Sequence, residues 1–166
     1  MAKFASQYTK WAMSLSFILC CSSLSAQDNG RSIQNFAEVQ NSLKNNSADY
    51  SRLTSLINDE YESVYILDES EKVYGKSPVT IYTNLANISK LGSTKFSTIG
   101  VELIRVEIST LSTNQTPLDM EVFKNYKKLK YLYFLLEDES QLSDLQRLID
   151  FTEAEFLVFY QIVKRS

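Results

Sequence analysis

The chain has 166 residues, with 17 basic and 20 acidic side chains, no histidine and two cysteines. Without histidine there is no Ser-His-Asp or Cys-His nucleophile system and no zinc site of the usual nitrogen and sulfur type. A net charge of −3 argues against nucleic acid as a partner, because phosphate binding needs a basic surface.

Residues 1–26 read as a secretory signal. Lys3 and Lys10 form the positive region, Trp11 to Leu24 an apolar run diluted by serine, and Ser23-Leu24-Ser25-Ala26 a small-residue end. The run is too short and too rich in serine for a membrane span, which needs about 20 apolar residues. Cleavage after Ala26 is expected, giving an exported, periplasmic or extracellular protein. Leu19 before Cys20, and Cys20 before Cys21, are unfavourable for lipidation, so no lipid anchor is expected. The remaining 27–166 form a single domain with fifteen basic against twenty acidic residues, a net −5, and no cysteine or tryptophan. Its stability must come from packing rather than disulfides.

Ile33 to Ile57 carries apolar residues at helical spacing around Lys44-Asn-Asn-Ser47, which predicts two short amphipathic helices joined by a turn. Glu62 to Leu67 is β-branched and aromatic and reads as the first strand. Ser77-Pro78 and Thr116-Pro117 each place proline behind a hydroxyl N-cap, predicting helices over Pro78 to Leu91 and Leu118 to Lys127, with Asp119 at the positive end of the second. Ser140 opens a third helix, Gln141 to Ile149. Strands are expected at Val101 to Ile108, Lys130 to Leu136 and Glu155 to Val163. Strands alternating with helices imply crossovers and a parallel sheet.

Gly30, Gly75, Gly92 and Gly100 are too widely separated to build a phosphate loop. The remaining catalytic option is carboxylate chemistry. Asp68, Glu69 and Glu71 follow one apolar run, and Glu137, Asp138 and Glu139 follow another. They are expected to mark solvated strand ends. A carboxylate-dependent hydrolase or a cation-binding protein is the alternative they keep open.

Phe123, Tyr126, Leu129, Leu132 and Phe134 share their spacing with Leu148, Phe151, Ala154, Leu157 and Phe159. The offset is twenty-five residues, the kind of period that marks stacked supersecondary units. Phe123 to Phe134 resembles the segment of a leucine-rich repeat that leads into a Leu-x-Leu strand, with weaker copies ending in Val106 and Ile66. Glu137 and Ile162 stand where the family's asparagine follows the strand. The resemblance implies an α/β fold: a short, irregular parallel-sheet solenoid of strand-helix repeats with all helices on one side.

Alternation then sets Leu132, Phe134, Leu157 and Phe159 inward. On the other face it sets a stripe of Tyr65, Arg105, Tyr131, Tyr133, Phe156, Val158 and Tyr160, left open if the helices share one side. Aromatic anchors around a charge fit a protein interface. The expected function is a secreted, non-enzymatic interaction module with a protein partner, no cofactor and no metal. A self-associating structural subunit, a homo-oligomer joined through an uncapped final strand, is the further alternative.

Overall fold

A computed structural model describes residues 33–67, 70–111, 116–149 and 154–163. The signal segment, Cys20, Cys21, Asp68, Glu69 and Phe151 lie outside the described residues. The N-terminal pattern folds as its periodicity predicts. A two-residue strand β1 (Gln34–Asn35) leads into helix α1 (Phe36–Leu43), and a turn connects it to α2 (Ser47–Asn58). Asn35 caps α1: its Oδ1 accepts from the Ala37 amide at 2.9 Å, and Glu38 reaches back to the Asn35 amide at 3.3 Å. This reciprocal pairing satisfies amides that the first turn leaves without helical partners.

Strands β2 (Ser63–Leu67), β3 (Ser70–Tyr74), β4 (Thr80–Asn84), β5 (Leu103–Ile108), β6 (Tyr131–Leu136) and β7 (Leu157–Ile162) complete an open seven-stranded sheet in the order β1-β7-β6-β5-β4-β2-β3. Every pairing is parallel except the β2-β3 hairpin. The class is therefore α/β with a mostly parallel sheet. Helix α3 (Leu142–Leu148) forms where Ser140 announces it, preceded by a 3₁₀ turn capped by Asp138.

Two proline signals read differently in the fold. Ser77-Pro78 enters β4, not a helix, and the 3₁₀ segment Leu85–Ser93 follows the strand. Proline's fixed φ suits the entry to a strand as well as a first helical turn, and Thr80-Ile81-Tyr82-Thr83 then has the β-branched and aromatic character that extended backbone favours. The helix expected from Leu118 to Lys127 shrinks to a 3₁₀ turn, Met120–Phe123. Leu118 is held in a parallel bridge with Ile149, its amide donating to the Leu148 carbonyl at 2.7 Å, so its backbone is already extended.

The sheet is covered on both sides. On the crossover side, Ile81, Ile104, Val106, Leu132, Phe134 and Val158 pack under Leu85, Ile88, Leu91, Phe123, Tyr126 and Leu145. On the other, Leu103, Tyr131, Tyr133, Leu135 and Phe159 pack under Val39 of α1 and Leu53 and Leu56 of α2. The expectation that all helices share one side fails, because the two N-terminal helices lie across the far half of the opposite face. The final strand is not an uncapped edge at its centre either. Gln34 and Asn35 pair with Phe159 and Tyr160.

The exposed edge is β3, whose five residues are all solvent-accessible. It ends at Gly75, where φ is +94°. A Cβ there would sit 2.3 Å from the Glu62 side chain, whose carboxylate is fixed by the Lys76 and Ser77 amides at 3.0 and 2.6 Å. Gly75→Ala is expected to cost about 1–3 kcal/mol, the range for a non-glycine residue forced to positive φ, as measured by urea unfolding.

Candidate functional site: the open end of a cross-sheet aromatic row

Because parallel neighbours stay in register, one side-chain row crosses the sheet: Tyr65 of β2, Tyr82 of β4, Arg105 of β5, Tyr133 of β6 and Phe159 of β7 are successive partners. Tyr65 and Tyr82 stack with centroids 4.6 Å apart and planes 10° from parallel. Tyr133 and Phe159 stack at 4.8 Å. The Arg105 guanidinium joins the halves, lying 5.8 Å from the Tyr82 ring centre and 5.7 Å from that of Tyr133. A cation over aromatic faces is attracted by the ring quadrupole, more strongly as water is excluded. Arg105 Nε is buried with no hydrogen-bond partner among the described residues, and the guanidinium lies between the two rings.

The helices divide this row. Tyr133 and Phe159 lie under α1, where the Phe36 ring is 5.6 Å from each, stacked on Phe159 and tilted against Tyr133. Burial pushes the Tyr133 phenol up to about 12, against a smaller opposing pull from Arg105. Tyr65, Tyr82 and Arg105 are only partly covered. Helix α2 is tied to the start of β5 by an ion-pair network. Arg52 of α2 donates to both Glu102 carboxylate oxygens, at 2.7 and 3.2 Å, and to the Tyr61 hydroxyl at 3.0 Å. Lys130 approaches the same carboxylate at 3.1 Å.

Hydrogen bonding from Arg52 is the largest influence holding the Glu102 carboxyl below its ordinary 4.5, opposed by burial and reinforced by Lys130. Such a group stabilises the fold above its unfolded pKa, and the contribution disappears as pH falls through the lower folded value. Glu102→Gln is therefore expected to be less stable than the parent at pH 7. The gap should close on acidification below 4.5, as read from urea midpoints along a pH series.

Between the end of α2 and the β2-β3-β4 sheet lies a groove of about 560 Å³, lined by Ile57, Asp59, Glu60, Tyr61, Tyr65, Lys72, Tyr74 and Tyr82 among others. Tyr74 meets Tyr65 edge-on at 5.5 Å, at 85°. Burial pushes the Tyr65 phenol above its ordinary value, followed by the neighbouring Tyr82 and Tyr74. A second recess, about 350 Å³, lies on the crossover side against Phe123, Tyr126 and Phe156.

The stripe expected from alternation is thus partly assembled. Tyr65, Arg105 and Tyr133 share the row, and Tyr131 lies in the adjacent row on the same face, buried under the helices. Phe156, Val158 and Tyr160 belong to the crossover side, packed with Leu132 and Phe134. The correction is one of phase. The sequence template equates Leu157 with Leu132, whereas the ladder pairs Leu132 with Val158 and Phe134 with Tyr160. A one-residue slip exchanges the faces of a strand, and the unbroken apolar run from Phe156 to Tyr160 gives alternation nothing to fix it. Tyr82, the missing member of the row, follows Pro78 in the segment read as helix. Its own signal is the β-branched frame of Thr80, Ile81 and Thr83.

Of the two acidic clusters, Asp68 and Glu69 lie outside the described residues, and the strand ends that precede the clusters stand apart. Leu67 and Leu136 end strands separated by β4 and β5, roughly 14 Å apart at about 4.8 Å per strand. Asp138 serves as an N-cap, its Oδ1 accepting from the Ser140 amide at 2.7 Å, and this bond lowers its pKa. Among the described residues no group of three or more Asp or Glu side chains is placed to hold a metal ion, and no helix is long and apolar enough to cross a membrane. No protein-family model, curated protein or solved structure matches the chain.

Proposed function

We propose that the chain is an exported, non-catalytic interaction module that engages a protein partner through the open end of its aromatic row. The observation that carries this reading is the partly uncovered Tyr65-Tyr82-Arg105 segment, continuous with a row whose other half is rigid core. Tyrosine and arginine are the residue types that dominate binding energy at protein interfaces. Mounting them on paired strands fixes their geometry before a partner arrives, which lowers the ordering cost of association. Within this reading β4 to β7 are a short leucine-rich-repeat-like run. Successive parallel neighbours with helical or 3₁₀ crossovers on one side support it, with α1 and α2 laid across the end of the face that such repeats usually present.

The test is capture of the partner from the exporting host by Tyr65→Ser/Tyr82→Ser. Circular dichroism first confirms that the variant is folded. Retention is expected to fall by about 30-fold or more, the effect of removing hot-spot side chains worth 2 kcal/mol or more. Lys127→Ser, on the opposite side, should leave it unchanged. A folded double variant that captures as well as the parent would place the interface elsewhere.

A further inference from the structure

Resting on that reading, we infer that the groove beside the aromatic row receives a basic side chain, an arginine or lysine presented by the partner protein. Four tyrosines, Tyr61, Tyr65, Tyr74 and Tyr82, line it. Two of them, Tyr65 and Tyr74, meet at 85° and form a corner. Aromatic faces carry negative potential, and tyrosines gathered around one space are the arrangement that recognises organic cations.

The fold already uses two of these rings in this way. Arg52 lies 5.1 Å from the centre of Tyr61, and Arg105 lies 5.8 Å from that of Tyr82. Tyr74, at 56 % exposed, has no such cation among the described residues.

The charge at the groove points to the same ligand. Asp59 and Glu60 are exposed lining residues. Neither carboxylate makes an ion pair with a described residue. Other carboxylates nearby are engaged: Glu62 holds the Lys76 and Ser77 amides, and Glu102 holds Arg52 and Lys130. The groove's own cation is Lys72, paired across the hairpin with Tyr65, while Tyr74 pairs with Ser63. Repulsion from Lys72 and attraction to the Asp59 and Glu60 carboxylates that share the groove favour an incoming cation at its tyrosine faces. The volume of about 560 Å³ lies within the range of ligand pockets, about 300–1,000 Å³, ample for one long side chain.

The experiment titrates protein carrying ¹³C-labelled tyrosine with a capped tetra-arginine peptide, the neutral tetra-citrulline isostere and tetramethylammonium chloride, observed by NMR. The arginine peptide is expected to shift the Tyr65, Tyr74 and Tyr82 resonances saturably, with the citrulline peptide at least about 10-fold weaker, as a charge-dependent cation–π contact requires. Tyr74→Ala should weaken binding about 2- to 5-fold, and Asp59→Asn/Glu60→Gln by a similar factor. Both variants alter exposed side chains and leave the core intact.

Equal binding of the citrulline peptide, or an undiminished affinity for the arginine peptide in the Asp59→Asn/Glu60→Gln variant, would overturn the inference. Tetramethylammonium binding as tightly as the peptide would also overturn it, assigning the groove to a small ammonium ligand instead. Should the arginine peptide fail while Tyr65→Ser/Tyr82→Ser still abolishes partner capture, the interface reading stands and the basic side chain falls. If capture too is unaffected, both fall.

Discussion

Phe159→Ala is expected to lower the stability of the fold by about 3–5 kcal/mol, the usual cost of emptying a buried aromatic site. Phe159 is fully buried, and its ring contacts Phe36, Tyr131 and Tyr133. It is therefore both a strand residue and the surface on which α1 rests. Little can collapse into the space, because Gln34 pairs with its backbone and Tyr133 is fixed by its hydroxyl donating to Gln161. Leu132→Ala, on the crossover side and equally buried, should cost about 2–5 kcal/mol. Urea unfolding measures both. Near-parent stability in Phe159→Ala would mean that α1 does not seal this face, and comparable losses in the two variants would establish that both faces are core.

The second large effect is expected in alkali. Burial pushes the phenols of Tyr126 and Tyr133 up to about 12 from an ordinary 10.0. Unfolded tyrosine gives up its proton first, so between those values the folded chain binds more protons. The stabilisation is complete below pH 10.0 and is lost as pH rises toward about 12. A loss of about 2 kcal/mol for each tyrosine is expected by the upper end, kept below the full linkage value by residual solvation.

Tyr126→Phe and Tyr133→Phe keep the rings, so each should flatten the alkaline dependence and the double variant should nearly abolish the part due to these two groups. Tyr126→Phe also removes the bond its hydroxyl donates to the Leu91 carbonyl at 3.0 Å, which costs about 1 kcal/mol at neutral pH. An alkaline series of urea midpoints that remains as steep in the double variant as in the parent would refute this assignment.

Much of the fold is legible where one local rule dominates. Apolar spacing and the Lys44-to-Ser47 break reveal α1 and α2, and the strand at Leu103–Ile108 shows itself by alternating buried positions with Arg105 and Glu107. Ser70–Tyr74 hides for the opposite reason: all five residues are exposed, so no apolar alternation betrays a strand held only by its hairpin partner. At Pro78 one residue satisfies two local rules, and the choice between helix and strand rests on β4 being flanked by β2 and β5. The site divides along the same line. Tyr65, Arg105 and Tyr133 are recoverable from parity, whereas Tyr82 is lost with its strand and β7 is set in the wrong phase. The partial cover given by α1 and α2 is a contact between distant segments, which local periodicity does not encode.

The pairing of Gln34 with Phe159 also imposes an order in time. β1 and the two helices are made early, but the strands that receive them, β6 and β7, come last. At about 5–20 residues per second, the N-terminal elements wait on the order of ten seconds for their partners to be synthesised. Throughout that interval Val39, Leu53 and Leu56 have no Tyr131, Tyr133 or Phe159 to cover them. A chain that stalls before β7 therefore keeps an apolar face in view, the kind of surface that makes unfinished copies prone to aggregate.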